Sequence, residues 1–194
     1  MKVPLDFYVR EDVVQISREL LGKALCTKLG GQVTKAIITE TEAYAGVSDK
    51  ASHAYGGRRT QRTEPLYSRG GTAYVYLCYG IHHLFNVVTN TTGTPHAVLI
   101  RAGSAFEGEE LMHQRRDKPH GDKSLLKGPG SLSQALGITT ELTGTNLLGS
   151  QIWIEDHKIS VEEITAGPRV GIDYAEEDST RPYRFIVDLK NPVH

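Results

Sequence analysis

The stretch VTKAIITETEAY (residues 33–44) decides the fold class of this chain. It is rich in β-branched residues and follows the Gly30-Gly31 turn, so it is predicted to be a buried strand. The short run before that turn, residues 24–28, mixes apolar and polar residues in near alternation and predicts a second strand. A β-sheet is therefore expected to form the centre of the molecule.

The helical spacing of Val13, Ile16 and Leu20 predicts a helix over residues 10–21. Residues 45–71 contain five glycines and almost no aliphatic periodicity, which indicates a long ordered loop of the kind that usually carries function. Two strands meeting at Tyr79-Gly80 predict a hairpin. The remaining predictions are strands at 72–78, 81–88, 97–102, 151–164, 169–172 and 183–188, and helices at 106–116 and 132–136.

The composition favours one domain spanning residues 1–194. Hydrophobic residues make up 39% and charged residues 23%, which argues against disorder and against a coiled coil. No apolar stretch reaches the 18 or so residues that span a bilayer, and the first residues are too acidic for a secretory signal. We therefore expect a mixed α+β protein without membrane contact, placed in the cytoplasm or nucleoid if the source is bacterial.

Metal and redox chemistry are not expected. Cys26 and Cys78 lie in no Cys-x-x-Cys pair and are predicted to be small buried hydrophobes. His82 and His83 are adjacent on a strand and point to opposite faces, so they cannot easily bind one metal. We predict no cofactor, no metal site and no effect of chelation.

Tyrosines and arginines concentrate in one part of the chain. Six of the nine tyrosines fall within 36 residues, and the same stretch contains four arginines against the single acid Glu64 after Asp49. The residues concerned are Tyr44, Tyr55, Tyr67, Tyr74, Tyr76, Tyr79, Arg58, Arg59, Arg62 and Arg69. Such interleaving attracts phosphates and offers flat faces to bases, although the preference of tyrosine for strands is an alternative explanation.

Two carboxylates lie on the strand at 33–44. Because side chains alternate along a strand, Glu40, Glu42 and Tyr44 share one face. A carboxylate in a partly apolar site can hold and deprotonate water, and a second carboxylate nearby raises its proton affinity. Two solvated acids on an exposed sheet face are the alternative, which residues 38–44 alone favour.

Four other residues raise functional questions. His53 is alone, and a lone histidine is more often a structural residue than a catalyst. Tyr79, at the hairpin tip, could act as a wedge between base pairs. Asn86 and Arg101 lie in apolar strands and need partners, which could be ligands. A satisfied core amide is the alternative for Asn86, and a salt bridge to Glu40 or Glu42 is the alternative for Arg101.

Ten blocks of this sequence, in order, resemble the alkyladenine (3-methyladenine) DNA glycosylase family. They cover nearly the whole chain: LLGK (20–23), ETEAY (40–44), ASHA (51–54), YVY (74–76), YG (79–80), NVV (86–88), AVLIRA (97–102), GPG (128–130), ALGI (135–138) and PRVGI (168–172). The resemblance implies a curved, mostly antiparallel sheet with surrounding helices and a protruding β-hairpin, as in the formyltransferase C-terminal domain.

The resemblance also implies a catalytic group. Glu42 would be the general base that activates water, and Arg101 with the backbone carbonyl of Val170 would help to hold that water. Asn86 would lie beside the base and disfavour the exocyclic amine of guanine. Tyr79 would enter the minor groove and fill the space left by the extruded nucleotide.

The resemblance further implies that Tyr44 and His53 stack on one face of a flipped base and Tyr76 on the other. An enzyme that attacks a sugar carbon inside a duplex must flip the nucleotide, hold a π-face and supply an activated water. We expect the DNA backbone to be bound by the arginines of the 45–71 loop, namely Arg58, Arg59 and Arg62. The family commonly has Asn where this chain has Thr63, and Glu64 weakens the local positive field.

The implied function is a monofunctional DNA glycosylase of base excision repair, because no assigned pocket position is a lysine that could act as the nucleophile. Its partner would be double-stranded DNA containing 3-methyladenine or 7-methylguanine, or hypoxanthine or ethenoadenine if a general acid protonates the purine. A monomer is expected. Two alternatives stay open: a non-catalytic module that binds damaged DNA, and a formyltransferase-like domain that binds RNA.

Overall fold

The strand predicted at 33–44 is the longest strand in the computed structural model, which describes residues 1–189. The strands of this part are β1 (Ala24–Leu29), β2 (Gln32–Tyr44), β3 (Ala73–Cys78), β4 (His82–Thr89), β5 (His96–Glu107), β6 (Ile152–Glu155), β7 (Thr165–Gly167) and β8 (Arg184–Ile186). They form one antiparallel sheet in the order β3-β4-β5-β2-β1-β6, and β8 pairs with both β2 and β7.

Short helices cover the sheet. The α-helices are α1 (Leu5–Tyr8), α2 (Val13–Glu19), α3 (Glu109–Arg116) and α4 (Pro129–Ala135), and 3-10 turns occupy Gly46–Ser48, Tyr55–Gly57, Glu64–Tyr67, Thr140–Leu142 and Asp173–Thr180. The side chain of Asp12 accepts a hydrogen bond from the Gln15 amide at 2.9 Å. Because this cap fixes its start, α2 begins later than the helix predicted at 10–21.

The main core lies between the sheet and helices α2, α3 and α4. Ile16, Ile38, Phe85, Ile100 and Leu132 are all buried in it. The pairing of β2 with β5 shifts register on both sides of Glu40. Because bulges bend strands, these shifts curve the sheet. The predicted α+β class, with its curved antiparallel sheet and its hairpin, is confirmed.

Several predicted elements are wrong in extent or type. The helix predicted at 106–116 begins only at Glu109, because β5 continues to Glu107 and Gly108, with φ 76°, ends it. Of the strand predicted at 151–164, only Ile152–Glu155 forms, and the chain turns where Asp156 accepts a hydrogen bond from the Lys158 amide.

The strand predicted at 169–172 is absent. The amide of Val170 donates to a side chain instead of a neighbouring strand, and Gly171 has a φ of 73°. Residues 169–172 therefore form a loop that reaches over the end of β2. Among residues 1–189, no helix combines the length and apolar character needed to cross a membrane.

Candidate active site

A cavity of about 630 Å³ lies on one face of the sheet and is lined by alternate residues of β2, β3, β4 and β5 together with residues of the 45–71 loop and the 169–172 loop. It brings together nine of the eleven residues that the sequence assigned to the site: Glu42, Tyr44, His53, Arg62, Tyr76, Tyr79, Asn86, Arg101 and Val170. Arg58 and Arg59 do not line it.

Glu42 is the carboxylate at the bottom of this cavity. Its side chain is 0% exposed. The Val170 amide donates to its Oε1 at 2.8 Å, and the Tyr44 hydroxyl donates to its Oε2 at 2.9 Å. Burial raises the pKa of Glu42 above its ordinary value, and the charge of Arg101 opposes that rise. A buried carboxylate with a raised pKa and fixed donors is suited to accept a proton.

Arg101, on β5, connects the two carboxylates of β2. Its Nε lies 2.9 Å from Glu40 Oε1, and its Nη1 lies 3.4 Å from Glu42 Oε1. Arg184, on β8, binds the same Glu40 oxygen at 2.6 Å. The salt bridge that the sequence offered as an alternative for Arg101 is therefore present, and Glu40 is occupied by two arginines. The solvated-acid alternative is wrong for Glu42.

Aromatic rings form one wall of the cavity. The His53 and Tyr76 rings touch edge to face, with 4.6 Å between their centroids and 72° between their planes. Tyr74 lies beside both rings, and its hydroxyl is 3.0 Å from His53 Nδ1. Burial, helped by the charges of two nearby arginines, lowers the pKa of His53 to about 4. His53 is therefore neutral at physiological pH.

Asn86, on β4, is 4% exposed and lines the cavity. Its amide nitrogen donates to the carbonyls of Tyr74 and Leu84, both at 3.2 Å. The satisfied amide that the sequence offered as an alternative is thus present for the nitrogen. The Asn86 side-chain oxygen accepts no hydrogen bond from residues 1–189, so it is free to meet a ligand.

The hairpin of β3 and β4 carries Tyr79 at its tip, where the residue is 91% exposed. Tyr79 and Gly80 have φ values of 52° and 73°, and the Ile81 amide closes the turn on the Cys78 carbonyl at 3.2 Å. The turn therefore includes Ile81, which the sequence placed in the strand. A left-handed tyrosine is unusual and is typical of positions under functional constraint.

The arginines of the 45–71 loop have different surroundings. Arg59 forms two hydrogen bonds with Glu64, at 2.6 and 2.7 Å. The guanidinium of Arg62 lies 5.4 Å from the centroid of the Tyr76 ring, at the mouth of the cavity. Arg58 forms no ion pair within residues 1–189. Glu64 therefore reduces the positive field mainly at Arg59.

Comparison with known proteins gives a consistent assignment. The family profile described as "Methylpurine-DNA glycosylase (MPG)" matches residues 6–191. The chain belongs to this family. It is 51% identical over 189 residues to a protein of Chlamydia felis, with 97% of each chain covered, and 46% identical over 195 residues to one of Bacillus cereus, with 95% of each covered.

A third relative, from Desulfitobacterium hafniense, is 45% identical over 190 residues, covering 94% of this chain and 93% of the relative. All three relatives are named "Putative 3-methyladenine DNA glycosylase". Membership of a methylpurine-DNA glycosylase family supports DNA glycosylase activity, that is, a hydrolase acting on N-glycosyl bonds with DNA as its substrate.

Sequence reasoning missed four residues at or behind the cavity of this family member. They are Asp49, Arg169, Tyr174 and Arg184. Asp49 and Arg169 form a buried ion pair, whereas Tyr174 lies at the rim and donates to the Ala51 carbonyl at 3.2 Å. The one signal in the sequence was that Arg169 directly precedes Val170 in the block PRVGI.

Among residues 1–189, no group of three or more His, Cys, Asp or Glu side chains is arranged to hold a metal ion. Cys26 is buried as predicted, whereas the prediction is wrong for Cys78, which is partly exposed because it lies at the end of β3 beside the hairpin turn.

Proposed function

We propose that this protein is a monofunctional DNA glycosylase that removes damaged purines with a water molecule activated by Glu42. The observation that carries the proposal is the position of Glu42, a fully buried carboxylate at the bottom of an aromatic cavity. Burying a carboxylate is costly, and a protein that only binds DNA would have no reason to bury one there. Glu42 would take the proton of the water as its oxygen attacks the sugar carbon.

The water would lie between Glu42, Arg101 and the carbonyl of Val170. That carbonyl accepts no hydrogen bond from residues 1–189, whereas the amide of the same residue holds Glu42. Arg101 Nη1 lies 3.4 Å from the same Glu42 oxygen, Oε1. These three groups would orient one lone pair of the water toward the sugar, and the Glu42 carboxylate would accept the proton that the water loses.

The extruded base would stack against Tyr44 and His53 on one of its faces and against Tyr76 on the other. In the free protein, the rings of His53 and Tyr76 are in contact, so one of them must move to admit a base. Asn86 would lie beside the base and disfavour the exocyclic amine of guanine. 7-Methylguanine keeps that amine, but it is cationic and a good leaving group, which offsets the penalty.

Alkylated purines suit this cavity. Aromatic faces attract cations, and a neutral His53 adds no charge that would repel a base such as 3-methyladenine or 7-methylguanine. These cationic bases are good leaving groups, whereas hypoxanthine and ethenoadenine would need a general acid. Within residues 1–189, the cavity lining contains no lysine, so water and not an amine would be the nucleophile. The product would be an abasic site in an uncut strand.

The test is base release by the Glu42→Gln variant, measured in a single turnover on duplexes that each contain one damaged purine. We expect release to fall about 10²- to 10⁴-fold, because the amide keeps the shape of the side chain but cannot accept a proton. Lesion binding should change little. Glu40→Gln is the matched control, since Glu40 lies two residues away outside the cavity lining and should retain far more activity.

Three outcomes would overturn the proposal. Full single-turnover activity of Glu42→Gln would remove Glu42 from the mechanism. Strand cleavage before alkali treatment would show lyase activity. Tight lesion binding by the parent with no base released from any duplex would favour the non-catalytic binding module.

A further inference from the structure

A buried ion pair between Asp49 and Arg169 lies directly behind the candidate active site. Both side chains are 0% exposed, and the guanidinium binds the carboxylate twice, at 2.5 Å (Nη1 to Oδ2) and 2.8 Å (Nη2 to Oδ1). Neither residue is among those that line the cavity in the described part of the chain. Any effect of the pair on the reaction must therefore pass through its neighbours.

Asp49 holds the backbone that connects Tyr44 to His53. Its Oδ2 accepts a hydrogen bond from the Ala45 amide at 2.9 Å, and its Oδ1 accepts one from the Ala51 amide at 3.1 Å. Tyr44 directly precedes the first of these anchored positions, and His53 follows the second by two residues. The carboxylate therefore fixes the chain on both sides of the turn between those rings.

Arg169 holds the end of β2 from the other direction. Its Nη1 donates to the Ala43 carbonyl at 2.9 Å, and its Nη2 donates to the Asp178 carbonyl at 3.3 Å. Its guanidinium carbon lies 4.8 Å from the centroid of the Tyr44 ring. The same side chain thus contacts the strand that carries Glu42 and the ring whose hydroxyl binds Glu42.

The backbone of Arg169 continues directly into the donor that holds Glu42. The N–H of Val170 shares a rigid planar peptide unit with the carbonyl of Arg169, so fixing one residue constrains the direction of the other. That N–H donates to Glu42 Oε1 at 2.8 Å. Two of the contacts that orient Glu42, the amide of Val170 and the hydroxyl of Tyr44, therefore depend on the position of Arg169.

Stability alone does not account for this pair. A buried ion pair contributes little net stability compared with apolar residues of similar volume. In addition, the Nε of Arg169 is buried and has no hydrogen-bond partner within residues 1–189. A buried polar atom without a partner is costly, and a functional role of the surrounding geometry is one explanation for keeping it.

We propose that Asp49 and Arg169 form a positioning pair that sets the orientation of Glu42 through the Val170 amide and the Tyr44 ring. This inference rests on the proposed role of Glu42 as the general base. Displacement of a reacting group by about 1 Å can cost about 10²-fold in rate without abolishing binding. Loosening the pair should therefore slow base release while lesion binding remains.

The experiment measures single-turnover base release and lesion-DNA affinity for two variants, Arg169→Lys and the double variant Asp49→Asn/Arg169→Gln. The first keeps the charge but cannot bind the carboxylate with two nitrogens, and the second leaves no unpaired buried charge. We expect both to release 7-methylguanine about 10- to 100-fold more slowly, with the Kd for lesion DNA within about threefold of the parent.

A second readout separates positioning from general loosening. Glu42 faces Arg101, Glu40, the Tyr44 hydroxyl and the Val170 amide, and the charge of Arg169 also acts on it. Weakening the amide contact removes a donor that favours the charged carboxylate, so the acidic limb of the rate should move to higher pH in Arg169→Lys, which keeps the positive charge at that position. Thr27→Val is the structural control, because Thr27 is a buried hydrogen-bonding residue of β1 away from the cavity.

The outcomes are distinguishable. The inference is supported if both variants release the base more slowly than the parent, whereas Thr27→Val, at a similar melting temperature, keeps the parent rate and pH profile. It is overturned if they lose no more rate than Thr27→Val, or if rate and affinity fall in proportion. If Glu42→Gln is inactive while both pair variants retain the parent rate, only this inference fails. If Glu42→Gln is active, the proposed function fails first.

Discussion

At the scale of single residues, the two glutamates of β2 have different surroundings. Glu40 is held between Arg101 and Arg184 and lies outside the cavity lining, whereas Glu42 is 0% exposed and reaches the bottom of the cavity. The alternation of side chains along a strand predicted that both glutamates share one face, but it could not predict which of them lines the cavity. The difference arises because residues distant in sequence supply the partners, and only the family resemblance singled out Glu42 beforehand.

The raised pKa of Glu42 gives a prediction for the pH dependence of catalysis. Burial raises this pKa above the ordinary value of 4.5, against the opposing effects of Arg101, the Val170 amide and Tyr44. A general base works only when deprotonated, so the rate should decline as the pH falls through the raised pKa. Single-turnover release of 7-methylguanine between pH 4.5 and 8 should therefore show an acidic limb centred above 4.5.

The residual rate of Glu42→Gln is the control for this profile, because it should lack the acidic limb. The pKa of His53 is lowered to about 4, so this residue would produce a limb with a midpoint near pH 4. A limb with a clearly higher midpoint therefore does not come from His53. A parent rate that stays flat down to pH 4.5 would contradict the assignment of Glu42 as the base.

At the scale of elements, the hairpin shows how far local sequence can predict structure. The strands predicted at 72–78 and 81–88 form at Ala73–Cys78 and His82–Thr89, so their ends differ by one residue. Alternation and the Tyr79-Gly80 pair were enough for this result. Local pattern failed at 169–172, where the segment RVGI forms a loop: its Val170 amide binds the Glu42 side chain across 128 residues, and Gly171 has a left-handed backbone.

Tyr79 at the hairpin tip should act on base flipping and not on the chemical step. An exposed aromatic wedge can replace the extruded nucleotide in the stack and recover part of an unstacking cost of a few kcal/mol. We expect Tyr79→Ser to lower the flipped fraction of ethenoadenine, followed by its fluorescence in stopped flow. The loss should be largest for lesions that still pair well, such as hypoxanthine opposite thymine, and smallest for mismatched ones.

Ile81→Ser is the matched control, because Ile81 is 71% exposed in the same turn. Neither change should unfold the protein, since both side chains are largely in solvent and Tyr79 already has a left-handed backbone that favours smaller polar residues. If Ile81→Ser reduces flipping and Tyr79→Ser does not, the wedge is Ile81.

At the scale of the whole molecule, the site depends on contacts that no local pattern contains. Asp49 and Arg169 are 120 residues apart, and Glu40 and Arg184 are 144 residues apart. Arg184 lies on β8, which pairs with β2, and Arg169 follows β7, which pairs with β8. The sheet therefore returns the end of the chain to β2 and brings both arginines to their partners. Strands and loops could be predicted from periodicity, whereas these ion pairs follow from tertiary packing and need the folded structure.

The global charge balance also leaves DNA binding to a local surface. The chain has a formal net charge of −1, so counterion release should depend on the arginines around the cavity mouth and not on net charge. Replacing Arg58, Arg59 and Arg62 together by Gln should flatten the plot of log affinity against log salt by about 0.9 for each phosphate that is no longer neutralised. Because Glu64 already binds Arg59, Glu64→Gln should instead strengthen DNA binding at low salt.

The matched control for the arginine variant is a triple Gln variant at Lys118, Lys123 and Lys127, which should keep the parent slope. If the control flattens the slope and the arginine variant does not, the DNA phosphates bind between α3 and α4 and the 45–71 loop serves the cavity alone.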